Sequence, residues 1–300
     1  MNLRQLQYFQ TLARTQHYTQ TAEQFSISQP SLSHAINELE KELGIKLFQK
    51  KGRNVELTKL GQQYLAYVDN ALLELNNGER FIKELTSMSH GHIELAFIYS
   101  LSAYFLPKII NAFISNPLHR NITFSFYESS TLGIIEDLKK GKYDMALCSR
   151  VENEPDIDFE QLTSQELVFV MSKNHPLAYN NVLDVKQVAD YPLILFNEKS
   201  GIKPFIDKLL SEAGITPKVA CYVEAENAMI GLASIDYGIG IMPRIPIPQE
   251  YNLQVIPLKH QARQRYIYIA TMKERPLLPA AQRFYQSLLD YRFFNLLISS

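Results

Sequence analysis

The sequence predicts an α/β protein with a small, helix-rich head. The head is a winged helix-turn-helix over residues 1–58, one long helix follows over 59–88, and residues 89–300 form a two-lobe α/β body. Three observations predict this. Residues 18–37 read as two short helices joined by a tight turn. Tyr64, Val68, Ala71, Leu75, Ile82 and Leu85 follow a three-four alternation, as on a coiled-coil seam. From His92 onward, short apolar runs bounded by turn residues alternate with amphipathic helical stretches.

The first helix is marked by Leu3, Leu6, Phe9 and Leu12 at helical spacing. The next buries Ala22 and Phe25. Ser28 then caps a third helix, and Pro30 sits where its missing N–H costs nothing. Leu32, Ile36, Leu39 and Leu43 form its buried stripe, and Pro30, Ser33, His34, Asn37 and Lys41 face away. Short donors and acceptors at a helix N-terminus suit base edges in a major groove, although an ordinary αα-hairpin has the same outline. Gly44 ends the helix. Leu47/Phe48 and Val55/Leu57 are strand-like around the basic turn Lys50–Asn54, the outline of a wing whose Arg53 would meet phosphate or a groove. A solvated hairpin tip is the other reading of that turn. Thr58 starts the long helix, roughly 40 Å at 1.5 Å per residue. Gly61 and Gly78 fall on its seam and weaken it. A second copy of the chain is the natural partner, and packing on the downstream body is the alternative.

Composition agrees with a folded chain of two or three domains: 300 residues, 46% hydrophobic and 20% charged. The net charge of -1 is unevenly placed, because residues 1–60 carry eight Lys/Arg against five acids. A basic head on an acidic body fits a nucleic-acid-binding domain attached to something else. Cys148 and Cys221 lie in apolar runs and read as buried thiols of a reducing cytosol. No apolar run has the length of a membrane span and no signal-peptide core opens the chain. A cytoplasmic protein without a membrane partner is expected.

Past the linker Met88–Gly91, strands are expected at 92–98, 122–127 and 144–148, with helices at 104–115 and 131–140, giving a parallel sheet. After a loosely ordered 152–158, a second set follows: strands at 167–172, 193–196, 219–223 and 239–242, and helices at 183–189, 202–212 and 228–237. A strand at 266–271 and a helix at 279–294 close the chain. The first lobe spans about 92–162 and 266–300, the second about 163–265, with crossings near 161–166 and 260–266. Ligands of such sheets bind at the carboxyl ends of the strands, here between the lobes.

The chain resembles the LysR-type transcriptional regulators over essentially its whole length. The resemblance rests on Leu6-x-x-Phe9, Thr19-x-x-Ala22-Glu23-x-Phe25, Ser28-Gln29-Pro30-Ser31-Leu32-Ser33-x-x-Ile36-x-x-Leu39-Glu40-x-x-Leu43-Gly44, Leu47-Phe48, Arg53 and Leu57-Thr58-x-x-Gly61. Weaker support comes from Gly141-x-x-Asp144-x-Ala146-Leu147, His175-Pro176-Leu177 and Gly238-x-Gly240-Ile241-x-x-Pro243. The chain departs from the family in having His17 for a usual Ser, Thr21 for Ala and Lys50 for Arg. The resemblance implies a winged helix-turn-helix, a dimerising linker helix and a type 2 periplasmic-binding-protein-like effector domain. It further implies a homodimer, as a dimer of dimers, on double-stranded promoter DNA, with a small molecule between the lobes altering the DNA contacts. Gln29, Pro30, Ser33, His34, Asn37 and Arg53 would touch DNA, with Thr19 and Ser31 beside them.

The same resemblance places the effector at two segments of the first lobe, Ser100/Ser102 and Ser129/Ser130/Thr131. Hydroxyls and free N–H groups at helix N-termini favour a carboxylate, although Ser and Thr are also ordinary caps. In the second lobe Phe196, Asn197 and Asn227 are weaker candidates. Glu224 and Glu226 would repel a carboxylate and so would face an amine or pair across the cleft, which leaves an amino acid as the other effector class. Enzyme signatures are missing: there is no phosphate-binding glycine loop in the right context, no Gly-x-Ser-x-Gly elbow, and the histidines lack metal-ligand spacing. No cofactor or metal is expected. A transport solute-binding protein is disfavoured by the basic first sixty residues.

Overall fold

The computed structural model describes residues 1–52, 54–85, 90–259 and 265–298, and divides into two compact units, Met1–Lys83 and Glu84–Ser300.

In the first unit, α1 (Leu3–Thr15) starts from a capping box in which Asn2 and Gln5 each accept the other's backbone N–H. α2 (Tyr18–Gln24) is capped by the His17 imidazole, whose Nδ1 accepts the Gln20 N–H at 3.5 Å. Thr21 is fully buried; its hydroxyl lies 2.5 Å from that of Thr15 and donates to the His17 carbonyl, which ties α2 to α1. α3 (Gln29–Leu43) is capped by Ser28, which accepts the Ser31 N–H, and it ends at Gly44 with φ +68°. Leu32, Ile36 and Leu39 pack with Phe9, Leu12, Ala22 and Leu47 in the core. Leu43 only partly joins it, and Phe25, expected to be buried, is half-buried at the C-cap of α2, packing edge-on against Tyr8 with centroids 4.8 Å apart. β1 (Phe48–Lys51) and β2 (Asn54–Leu57) pair antiparallel as the wing.

The long helix α4 (Lys59–Leu85) corrects the expected seam. Its first half closes the head's own core through Gly61, Tyr64, Leu65 and Val68. A Cβ on Gly61 would collide with the Leu47 carbonyl, so glycine permits this approach. Leu75, Phe81 and Ile82 further along are exposed, as is Ala71.

In the second unit, β3 (His90–Ile98), α5 (Phe105–Ile114), β4 (Asn121–Ser129), α6 (Thr131–Lys139), β5 (Met145–Cys148) and β6 (Ile157–Gln165) build the first lobe. Then β7 (Leu167–Ser172), β8 (Pro192–Phe196), α7 (Lys203–Glu212), β9 (Lys218–Val223), α8 (Glu226–Ser234), β10 (Ile239–Pro243) and β11 (Leu253–Pro257) build the second. The chain returns through β12 (Arg265–Met272) and α9 (Pro279–Ile298). The sheets run in the orders β4-β3-β5-β12-β6 and β11-β7-β10-β8-β9, each over its own apolar core.

Both sheets are mixed rather than parallel. β3 runs parallel to β4 and β5, but β12 is antiparallel to β5 and β6. β8 runs parallel to β9 and β10, but β7 is antiparallel to β10 and β11. The added strands β6 and β11 lie on sheet edges, where a strand needs less apolar sequence. The first crossing is therefore Glu166 alone, between β6 and β7, rather than the whole of 161–166. In the second, residues 260–264 lie outside the described residues. The helix expected at 183–189 is a 3-10 turn at Val185–Val188, and α8 begins two residues earlier than expected, at Glu226. Among the described residues no helix is long and apolar enough to cross a membrane.

Candidate nucleic-acid interface and effector cleft

The outer face of α3 is open. Gln29, Pro30, Ser31, His34, Asn37 and Lys41 are exposed and Ser33 is half-buried. Ser31 is also tied to the cap, its hydroxyl 2.8 Å from that of Ser28. Thr19 is exposed on the first turn of α2. In the wing Lys50 is exposed, whereas Lys51 pairs with Glu56 at 2.6 Å; Arg53 lies outside the described residues. The first turn of α3 holds no acidic side chain, so nothing there repels phosphate.

The cleft residues separate into those that meet and those that do not. Ser100 and Ser102 sit in a 3-10 turn, Tyr99–Leu101 and its cap, not at the N-terminus of α5, whose N-cap is Tyr104. Ser100 is buried, with its hydroxyl 3.4 Å from the Gln165 side chain. The Ser102 hydroxyl donates back to the Tyr99 carbonyl. Ser130 caps α6 by accepting the Gly133 N–H. Ser129 is half-buried beside Gly133. Thr131 is buried and its Oγ1 has no hydrogen-bond partner.

From the second lobe, Gly201 closes on this patch: a Cβ there would lie 2.5 Å from Thr131 Oγ1 and 2.9 Å from Ser149 Cβ. Phe196 belongs instead to the second lobe's core, where it is fully buried. Asn197 serves a local turn, accepting the Lys199 N–H at 3.1 Å, and Asn227 is exposed on α8. The two glutamates do reach across. Tyr99 donates to Glu224 Oε1 at 3.3 Å, and burial with that carboxylate raises the phenol's pKa. Glu226 is buried, and burial pushes its carboxyl above the usual range while Arg265 opposes.

Sequence reasoning missed Arg265 and its supports. Arg265 is buried; its Nε and Nη2 donate to Ser149 Oγ at 3.2 and 2.8 Å, and its Nη1 donates to Gln165 Oε1 at 3.1 Å. Burial lowers its pKa to about 10, with Glu226 opposing. The signal was present as one arginine opening the apolar strand Arg265–Met272. Cys148 and Cys221 are free; Cys148 is buried, and burial pushes its thiol up to about 12, whereas Cys221, expected to be buried, is only half-buried on β9.

A winged helix-turn-helix beside a two-lobe domain with a polar cleft defines a ligand-responsive DNA-binding regulator. Residues 3–62 match the bacterial regulatory helix-turn-helix protein, lysR family, and residues 87–292 match the LysR substrate binding domain. An uncharacterized HTH-type transcriptional regulator of Bacillus subtilis (strain 168), YybE, is 31% identical over 97% of this chain and 99% of its own. The effector binding domain of QuiR, solved in complex with shikimate, is 46% identical and covers 68% of this chain and 97% of its own, with a TM-score of 0.66. CbnR complexed with its target DNA shares the fold at 20% identity, covering 97% of this chain and 99% of its own, with a TM-score of 0.79. The chain belongs to the LysR family of transcriptional regulators, which bind DNA and respond to an effector.

Proposed function

We propose that residues 1–58 read promoter DNA through Gln29, Pro30, Ser33, His34 and Asn37, with Thr19, Ser31 and Arg53 on the flanking backbone or groove. The observation that carries this is the open, acid-free first turn of α3 beside a basic wing. Residues 59–88 would pair two copies through the exposed Leu75, Phe81 and Ile82, giving a homodimer and, through the bodies, a dimer of dimers. The effector is a small carboxylate between the lobes, near Ser100 and Thr131. The shikimate-bound QuiR domain, similar to this body, supports that class. The protein works in the cytoplasm and performs no catalysis.

The test is a titration of the full-length protein on the DNA upstream of its own gene, with unrelated duplex as competitor at fixed salt, without and with shikimate. Salt is held constant because phosphate contacts alone bind any duplex when it is low. A strong preference for the upstream DNA, altered by shikimate, is expected. Equal binding to both duplexes would overturn the assignment of the reading face to that operator.

A further inference from the structure

Among the described residues the cleft holds a buried guanidinium that touches no carboxylate. A guanidinium has five N–H donors in a planar fork and keeps its charge. Arg265 uses three of them, two on Ser149 Oγ and one on Gln165 Oε1. One N–H on Nη1 and one on Nη2 remain to donate to a carboxylate. Among the described residues Arg265 has no carboxylate in ion-pair contact, although it is buried. A buried charge of this kind is costly until something pairs with it. A second group points the same way: Thr131 Oγ1 is buried without a partner, and Gly201 shows that it lies beside Ser149.

Glu226 is buried at the first position of α8, on the second lobe. Two residues before it Glu224 accepts from Tyr99, and the residue after Tyr99, Ser100, has its hydroxyl 3.4 Å from the Gln165 that holds Arg265, so the start of α8 lies against this part of the first lobe. Carboxylates there accept hydroxyl donors and repel a second carboxylate. We propose that Arg265, its fork held by Ser149 and Gln165, seats the effector's carboxylate while Glu226 receives a hydroxyl of the same molecule, so that the effector is a hydroxylated monocarboxylate. This rests on the reading of the cleft as the effector site. The choice of a hydroxyl over the ammonium that an amino acid would set against Glu226 follows the shikimate-bound QuiR domain, 46% identical to this body, and L-alanine is the competitor that tests it.

The experiment is calorimetric titration of the full-length protein with four probes: shikimate, its carboxamide, cyclohex-1-ene-1-carboxylate and L-alanine. Wild type should favour shikimate over the carboxamide by about a hundredfold or more, since the amide offers no charge to the fork. Arg265→Gln, checked for an unchanged melting profile, should shrink that ratio to about fivefold or less. Glu226→Gln should cut the preference for shikimate over the deoxygenated acid by about tenfold. If Arg265→Gln does not fold, Ser149→Ala, which frees the fork, should selectively weaken the acid by about tenfold. An undiminished acid-over-amide ratio in a folded Arg265→Gln or Ser149→Ala protein overturns the Arg265 assignment and leaves the effector reading standing. Tighter binding of L-alanine than of shikimate overturns the hydroxyl assignment. If no carboxylate binds, the effector reading fails, and this proposal fails with it.

Discussion

Glu40, on the buried side of α3, accepts the backbone N–H of Leu47 through Oε1 at 2.8 Å. The same oxygen accepts the Phe48 N–H at 3.1 Å, and Oε2 pairs with Lys46 at 2.5 Å. α3 thereby holds the first residues of the wing, so the two elements proposed to face DNA share one anchor. Glu40→Ala would leave two buried donors unpaired, at a cost of about 2–3 kcal/mol. Denaturation followed by tyrosine fluorescence should show that loss, and Glu40→Gln, which keeps one acceptor, should show less. Equal stability of the alanine variant and wild type would mean that the wing holds without this anchor.

Gly61 and Gly78 lie on the same long helix and should respond oppositely to alanine. A Cβ at Gly61 meets the Leu47 backbone carbonyl, whereas nothing lies within 4 Å of one at Gly78. Gly61→Ala should destabilise by about 1–3 kcal/mol through overpacking. Gly78→Ala should stabilise by about 0.5–1 kcal/mol through helix propensity. Thermal melting of the two variants decides it; a destabilised Gly78→Ala would show that a second chain approaches closely there.

The parts legible in the sequence were those set by neighbours along the chain. Ser28, Pro30 and the stripe Leu32-Ile36-Leu39 announce α3 because a cap and a helical face are local chemistry. Arg265 stayed hidden because its partners Ser149 and Gln165 are 116 and 100 positions away, brought together only by sheet pairing. β6 stayed hidden for a related reason. As an edge strand, Ile157–Gln165 buries few of its side chains, and its polar sequence reads as loop. Tyr64 and Val68 were correctly placed on one helical face, but periodicity cannot say whether that face meets a second copy or the head itself.

His175 makes stability depend on pH. Its Nδ1 accepts the Leu177 N–H at 3.2 Å, and burial holds its pKa below the ordinary value of 6.5, with Asp236 opposing. The unfolded state therefore takes up a proton before the folded state does. Stability from this site is complete above about pH 6.5 and falls as pH drops through the lower folded value. His175→Asn keeps an acceptor without titrating. Melting curves between about pH 7 and 5 should slope less for the variant than for wild type; identical slopes would remove His175 from the acid response.

Gly201 should report on closure of the lobes. A side chain there needs space held by Thr131 Oγ1 and Ser149 Cβ, and Ser149 is in turn fixed to Arg265. Gly201→Ala should displace the second lobe from this patch and weaken the effector by about tenfold, or about 1.4 kcal/mol. DNA affinity without effector should change little, because the head is a separate unit. An unaltered effector titration would show that the loop yields locally and that closure does not depend on this contact.

The reader helix and the wing should separate in how they lose affinity. His34 and Pro30 are exposed on the outer face of α3, the face proposed to meet base edges, whereas Lys50 is an exposed cation on the wing. Pro30→Ala with His34→Ala should cost about 1–3 kcal/mol on the operator and little on unrelated duplex, since base contacts carry the discrimination. Lys50→Ala should weaken both duplexes alike and reduce the slope of log affinity against log salt by about 0.9, one phosphate contact's share. Titrations at several salt concentrations distinguish the two patterns. A uniform loss in the double variant would make α3 a backbone-binding helix, and reading of sequence would then have to come from elsewhere in the head.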